Sequence, residues 1–301
     1  MDTGLANFLT YAAIYLTCVT ALLGLVMGSF LNCVAWRIVQ GESWVSGRSH
    51  CDACGHVLEP RDLVPVVSWL STHGRCRYCG AKVSVRNPAT EIGCAVLYVV
   101  ILWRYGFTLQ TLEMGGLASV LLVASLTDLD DYLIPNGCII AAVVIRVLYL
   151  VICAFLGQDV GPVVRESLIG AVAVTVPLLI LVLIMDRVLG KPSMGGGDLK
   201  LFALAGLYFG WRQCLFLIIV ACLLGIVFAL AVRYWFKADG AEHPDTDTPA
   251  DGNAVKQNVS VDAEDDVPEH AFPFGPSIAV AMVITMLCGY EVLAWYLGLL
   301  L

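Results

Sequence analysis

The sequence has few charged residues for its length. Only 14% of its 301 residues are Asp, Glu, Lys or Arg, whereas about a quarter of the residues in a soluble domain are charged. Hydrophobic residues instead make up 59% of the chain. This composition excludes an ordinary soluble domain and indicates a membrane protein.

The chain also lacks two common signals. Its first residues have neither the basic region nor the small-residue cleavage site of a secretory signal peptide, so we expect the first apolar segment to be retained as a span. The glycines at 195–197 have neither the spacing nor the strand context of a nucleotide-binding loop. We expect no nucleic-acid partner.

Apolar segments close to the ~20 residues that cross a bilayer recur along the chain. Hydrocarbon offers backbone groups no outside partners, so these segments predict helices. The expected fold is an all-α polytopic membrane protein with about eight transmembrane helices, over 8–36, 89–104, 112–127, 136–156, 165–189, 199–210, 213–236 and 276–300. The sixth segment is short, which leaves open whether it crosses fully.

Charge is unevenly distributed between the loops. Residues 238–275 hold ten Asp or Glu and one Lys, which predicts a disordered, solvated loop rather than a docking site for a basic partner. Basic residues concentrate in the loop 37–88, which the positive-inside rule places in the cytoplasm. They are Arg37, Arg48, Arg61, Arg75, Arg77, Lys82 and Arg86.

Four of the twelve cysteines form two Cys-x-x-Cys-Gly pairs, Cys51 with Cys54 and Cys76 with Cys79. This is the pattern of a zinc ribbon, and a reducing cytoplasmic loop argues against disulfides. We predict a structural zinc with four thiolate ligands and no open catalytic position. A redox pair or another metal is the alternative. The other eight cysteines lie singly in apolar spans and need no function.

Two aspartates lie next to the hydrocarbon. Asp128 follows a span in SLTDLDDYLIPNG, and Asp198 precedes one in SMGGGDLK. Taken alone, Asp128 with Asp130 and Asp131 could be a solvated loop, and Asp198 could be a helix N-cap. Both junctions are predicted on one side of the membrane, however, and ionisable groups at that depth often mark function. Two such carboxyls can share a proton, so that one activates water while the other polarises a peptide carbonyl.

Neighbours of Asp198 have predicted roles as well. Gly195, Gly196 and Gly197 would leave room for an extended substrate and would unwind the entry to the helix. Lys200 could bind lipid headgroups or tune the carboxylate pair.

These motifs together resemble the type IV prepilin peptidases, a family of GxGD-type membrane aspartic proteases. The resemblance rests on GSFLNCVAWRI (28–38), the tetracysteine region (49–92), TDLDDYLIPN (127–136) and GGGDLK (195–200). It implies that Asp128 and Asp198 are the catalytic residues. It also implies an aspartic endopeptidase in the bacterial inner membrane, with its active site at the cytoplasmic face.

The resemblance implies cleavage of the leader peptide from type IV prepilins or pseudopilins, which with membrane lipids would be the partners. It also implies methylation of the new N-terminus with S-adenosylmethionine as methyl donor, since the tetracysteine domain accompanies that activity. Glu42, Arg37 and Glu91 lie near the relevant region, but headgroup or solvent contacts explain such charges equally well. The methyltransferase residues therefore stay unassigned.

With this resemblance, the chain divides into five regions. Residues 1–36 are the first transmembrane segment, 37–88 a small zinc-ribbon-like tetracysteine domain, and 89–236 the transmembrane aspartic peptidase core. Residues 237–275 are the acidic cytoplasmic loop, and 276–301 the last transmembrane helix.

Three other functions fit part of the pattern. A proton-coupled transporter could use Asp128 and Asp198 as a relay, but the two halves show no repeat of the kind found in transporters. An interaction protein could use the zinc loop as a docking platform and would not need either Asp. A relative of signal peptide peptidase would lack the tetracysteine loop.

Overall fold

The computed structural model describes residues 3–239 and 273–300. Helices make up almost all of the regular structure in these two ranges. They are α1 (Thr3–Val39), α2 (Val67–Ser71), α3 (Arg86–Tyr105), α4 (Leu109–Asp131), α5 (Asn136–Phe155), α6 (Gly161–Leu189), α7 (Gly196–Asp239) and α8 (Gly275–Leu300).

Six of these helices, α1 and α4 to α8, are long and apolar enough to cross a membrane. The seventh long helix, α3, has 20 residues, but Arg86, Glu91 and Arg104 shorten its uncharged stretch. The predicted all-α, multi-pass membrane protein is confirmed. The predicted acidic loop 237–275 lies mostly outside the described residues, apart from the end of α7 and residues 273–275.

Helix α7 folds back on itself at Gly210, whose φ of 71° and ψ of 169° interrupt the helix. The ring of Phe274 contacts both Phe202, with ring centroids 6.5 Å apart, and Gly225. On a straight helix Phe202 and Gly225 would be separated by about 35 Å, at ~1.5 Å per residue. The chain must therefore reverse between them, giving a first arm (196–209) and a second arm (211–239).

This reversal bears on whether the short sixth predicted segment, 199–210, crosses the membrane fully. The segments 199–210 and 213–236 are the two antiparallel arms of α7, so both are distinct helical segments, as predicted. The first arm spans about 21 Å, shorter than the ~30 Å hydrocarbon core. Glycine allows the reversal because the positive φ of Gly210 is strained for residues with a Cβ.

The ends of the helices lie at two opposite ends of the bundle. At one of them α4 ends while α3, α5, α7 and α8 begin, as shown by contacts of Asp128 with Gly275 and of Lys200 with Asn136. We call this the acidic end. At the other end, Tyr105 of α3 donates a hydrogen bond to the backbone of α8, and Gly289 of α8 lies against Gln213.

Small residues set the distances between helices. A methyl group on Gly170 of α6 would lie 2.3 Å from the carbonyl oxygen of Gly206, and one on Gly24 of α1 would lie 2.5 Å from the Cα of Ala95. Any side chain at these positions would push the helices apart, so α6 is fixed against the first arm of α7. The position of Asp198 at the start of that arm follows from this packing.

Candidate active site and metal centre

Asp128 lies in the last turn of α4, at the acidic end. The helix stops at Tyr132, which takes the left-handed conformation with φ of 50° and donates its N–H to the carbonyl of Asp128. The Asp128 residue is only 5% exposed, and its neighbour Thr127 is fully buried. The structure therefore places this carboxyl inside the bundle and not in the solvated loop that was the alternative.

The first residue of α8 binds Asp128 directly. The N–H of Gly275 donates to Oδ2 of Asp128 at 2.9 Å. A methyl group on Gly275 would lie 2.7 Å from the same oxygen, so only glycine permits this approach. Sequence analysis missed Gly275, although its signal was available: a glycine next to a proline at the start of the last apolar span.

Asp198 lies in the first turn of α7, across from Asp128 and partly buried. It is inside the helix, which starts at Gly196, so it is not an N-cap. Neighbouring contacts bring the two helix ends together, since Gly197 packs against Ile134 and Lys200 donates to Asn136. Asp128 and Asp198 thus come together at the acidic end from helix ends 70 residues apart in the sequence.

The three glycines before Asp198 differ in how closely other atoms approach them. A methyl group on Gly197 would lie 3.0 Å from Cβ of Ile134, and one on Gly195 would lie 3.3 Å from Oδ2 of Asp198. A methyl group on Gly196 would meet nothing within 4 Å. The prediction of an unwound entry is wrong for Gly196 and Gly197, which are already helical. Gly197 packs closely against Ile134.

Charged residues around the pair make structural contacts. Arg86 at the start of α3 forms a two-pronged ion pair with Asp130, with Nη2 at 2.8 Å from Oδ2. Lys200 donates to the side-chain oxygen of Asn136 at 2.7 Å and so connects α7 to α5. This contact was not among the two roles predicted for Lys200.

The four cysteines predicted as ligands meet in one cluster. The sulfurs of Cys51, Cys54, Cys76 and Cys79 all lie within 4.8 Å of one another, so they could hold a metal ion. Each pair forms a tight turn in which the following glycine, Gly55 or Gly80, has a φ near 70°. Glycine is required there because this φ is strained for other residues. This clustering fits the donor set of a closed structural zinc site.

Backbone groups prepare this cluster for a cation. The N–H groups of Cys79 and Tyr78 donate to the Cys76 sulfur and lower the pKa of its thiol to about 7. Ala81 N–H lowers the pKa of Cys79, but desolvation and the neighbouring sulfurs raise it to about 12. The ionised form of Cys76 is thus favoured, and a second thiolate at Cys79 beside it is disfavoured. A divalent cation would remove that repulsion, since metal ligands are thiolates.

The interior of the bundle holds an ion pair that was not predicted from the sequence. Arg146 of α5 donates to Oε1 of Glu113 on α4 at 2.7 Å and to the Ser167 hydroxyl of α6 at 2.9 Å. The Arg146 and Glu113 side chains are 8% and 1% exposed. One charge of each sign in neighbouring spans was the signal that could have predicted the pairing.

The three residues considered for methyl transfer differ in burial. Arg37 and Glu91 are both 7% exposed, whereas Glu42 is exposed. Oε2 of Glu91 accepts a hydrogen bond from the Val66 N–H at 2.6 Å. Buried Arg37 and Glu91 are not the solvent or headgroup contacts that formed the alternative.

Comparison with known families identifies two matching regions. Residues 22–105 match the family described as bacterial peptidase A24 N-terminal domain, and residues 115–230 match the type IV leader peptidase family. The first region contains the tetracysteine cluster. The second contains both Asp128 and Asp198.

Three relatives with the name prepilin leader peptidase/N-methyltransferase illustrate the similarity. The protein from Pseudomonas putida is 32% identical over 98% of both chains. The protein from Pseudomonas aeruginosa is 29% identical over 92% of both chains. The protein from Bacillus subtilis is 26% identical over 92% of this chain and 96% of its own. No solved structure matches the chain.

Proposed function

Because this chain belongs to the type IV leader peptidase family, we propose that it removes the leader peptide from type IV prepilins or pseudopilins and methylates the new N-terminal amine. The proposal makes the chain an aspartic endopeptidase with Asp128 and Asp198 as the catalytic pair. The observation that carries it is the meeting of these two carboxyls at the acidic end, one of them buried and bound by a backbone N–H.

The chemistry follows from two carboxyls that share one proton. The ionised carboxyl takes a proton from water, which attacks the peptide carbonyl carbon while the protonated carboxyl donates to the carbonyl oxygen. Collapse of the tetrahedral intermediate breaks the C–N bond, and the leaving amine takes up a proton. The unequal surroundings of Asp128 and Asp198 support a division of roles, since Gly275 donates only to Asp128.

Two further groups belong to the proposal. Structural zinc would be held by Cys51, Cys54, Cys76 and Cys79, whose sulfurs are close enough for tetrahedral coordination. S-adenosylmethionine would supply the methyl group: the amine nitrogen would take the methyl carbon, the sulfonium sulfur would keep the electrons of the broken carbon–sulfur bond, and the nitrogen would release a proton.

We place the protein in the bacterial inner membrane with the acidic end at the cytoplasmic face. The support is the basic loop 37–88, which joins α1 to α3 at that end and which the positive-inside rule puts in the cytoplasm. A prepilin with its leader in the cytosol would then present its scissile bond at the depth of the carboxyl pair.

The test is incubation of the purified protein in lipid nanodiscs with a full-length prepilin, with and without S-adenosylmethionine. Intact-mass spectrometry should show loss of the leader in both samples and the added mass of one methyl group only with the donor. An unchanged prepilin would refute the peptidase proposal, and a cleaved but never methylated product would refute the methyltransferase proposal alone.

A further inference from the structure

A cavity of about 530 Å³ lies at the acidic end, separate from the carboxyl pair. It lies between the end of α1, the tetracysteine module (residues 49–83) and the start of α3, and it is partly open to solvent. Cavities of roughly 300–1,000 Å³ are typical of small-molecule sites. The cavity is therefore large enough for a nucleoside-sized ligand.

Two buried charges of opposite sign line this cavity. Arg37 makes only two long contacts, at 3.4 Å, with the backbone oxygens of Ser43 and Ser46. Glu91 uses Oε2 to accept from Val66, and its Oε1 has no hydrogen bond within the described ranges. Burial of incompletely paired charges is unfavourable unless a ligand completes them. The pair therefore fits a zwitterionic ligand.

Aromatic rings form another part of the wall. Trp69 is held by a hydrogen bond from its indole N–H to the Val83 carbonyl at 3.2 Å, and Gly74 leaves room for its ring. Trp36 packs edge to face with His50, with ring centroids 5.8 Å apart. Fixed indole rings offer flat apolar surfaces on which a nucleobase can stack.

We propose that this cavity binds S-adenosylmethionine, with Arg37 facing its carboxylate, Glu91 facing a cationic group and the tryptophans facing its adenine. The inference rests on the proposed methyltransferase function and names the site for it. The donor carries all three features: an amino-acid zwitterion, a sulfonium cation and an aromatic base. A cavity that matched only one of these three features would not discriminate S-adenosylmethionine from other nucleosides.

An ion pair joins the wall of the cavity to the helix that carries Asp128. Arg86 lines the cavity and forms the ion pair with Asp130, two residues from Asp128. Cleavage and methyl transfer act on the same peptide in sequence, because the amine to be methylated is created by the cut. Two sites joined through α3 and α4 at one end of the bundle suit that order.

The first experiment measures binding of S-adenosylmethionine to the full-length protein in nanodiscs by isothermal titration calorimetry. Arg37→Gln and Glu91→Gln should each weaken binding about ten- to hundredfold, the usual effect of losing a charge-assisted hydrogen bond. The matched controls are Arg48→Gln and Glu42→Gln, since both residues are exposed and lie outside the cavity wall. Zinc content and thermal unfolding of each variant report whether it is folded.

A second experiment needs no variant. Ultraviolet crosslinking of radiolabelled S-adenosylmethionine to the unmodified protein, followed by peptide mapping, should label peptides from 29–37 or 68–91. Labelling elsewhere, or variants that bind as tightly as the unmodified protein, would overturn this site while methylation of processed prepilin still stood. Cleavage with neither binding nor methylation would remove the methyltransferase function and this inference together.

Discussion

At the scale of single residues, Asp128 and Asp198 reach the acidic end in different surroundings. Asp128 is buried at the end of α4 and accepts the Gly275 N–H, whereas Asp198 is in the first turn of α7 and partly open. A pair of carboxyls in unequal surroundings can keep one proton between them, which is what acid and base roles require.

We predict that Asp128→Asn and Asp198→Asn each lower the cleavage rate by at least ~100-fold, since general acid–base catalysis contributes about that much or more. Asparagine keeps the shape of the side chain but can neither hold the negative charge nor give up the proton. The measurement is the initial rate of leader removal in nanodiscs. Asp131→Asn is the control and should cleave at the rate of the unmodified protein. Normal cleavage by either of the first two variants would contradict the assignment.

Asp130 gives a separate prediction because it pairs with Arg86. Asp130→Asn should retain cleavage and lose up to ~1 kcal/mol of stability, because both partners are partly exposed and such pairs contribute little. Thermal unfolding in detergent measures the loss. If Asp130→Asn were inactive while Asp128→Asn cleaved normally, the choice between these two aspartates would be wrong.

At the scale of helices, the apolar pattern was sufficient to locate the spans, since hydrocarbon permits little besides helix. The break between 210 and 213 was visible as well, in a glycine followed by polar residues. The packing of Phe274 against both arms of α7 was not predictable, because Phe274 lies far along the chain from either arm. The Gly275 contact escaped prediction for the same reason: spacing along one segment carries no information about which segment packs beside it.

The ion pair between α4 and α5 should contribute strongly to stability. Arg146→Gln should lower the free energy of unfolding by about 3–5 kcal/mol, because it leaves the buried Glu113 carboxylate without its partner. Denaturant unfolding in mixed micelles measures the change. Glu113→Leu with Arg146→Met should recover much of it, since no buried charge remains.

The matched control for this pair is Arg104→Gln at the opposite end of the bundle. Arg104 pairs with the exposed Glu291, so its loss should change the unfolding free energy by at most ~1 kcal/mol. An Arg146→Gln protein as stable as this control would show that Glu113 does not depend on the ion pair.

The tetracysteine module should fold with its metal. We predict one tightly bound zinc per chain, which Cys51→Ser with Cys54→Ser should release, because two of four ligands are lost. Elemental analysis of purified protein measures the metal, and protease sensitivity of 49–83 measures the folding of the module. Cleavage of prepilin should fall only in part, since the carboxyl pair lies on other helices.

Cys18→Ser with Cys222→Ser is the control for this prediction. These cysteines are exposed on the spans and lie outside the cluster, so zinc content should not change. Full zinc content after the loss of Cys51 and Cys54 would rule out this ligand set.

At the scale of the whole molecule, the carboxyl pair lies at one end of the bundle rather than at its centre. Asp128 ends one span and Asp198 begins another. In the proposed mechanism, in which these two carboxyls are catalytic, the substrate places its scissile bond at the edge of the hydrocarbon. A prepilin whose apolar helix enters the bilayer would do so. Its basic leader would stay near the anionic headgroups, attracted by roughly 1 kcal/mol per Lys or Arg.

We therefore predict that the transmembrane helix of the substrate is its main recognition element. Inserting one to four residues between the cleavage site and the apolar segment should lower cleavage steeply, because each residue moves the bond away from the fixed depth of Asp128 and Asp198. The assay uses full-length prepilins in liposomes, and the control series inserts the same residues within the leader, where they leave that distance unchanged. Equal cleavage across the first series, or a soluble leader peptide cut as fast as the full prepilin, would show that depth in the membrane does not select the bond.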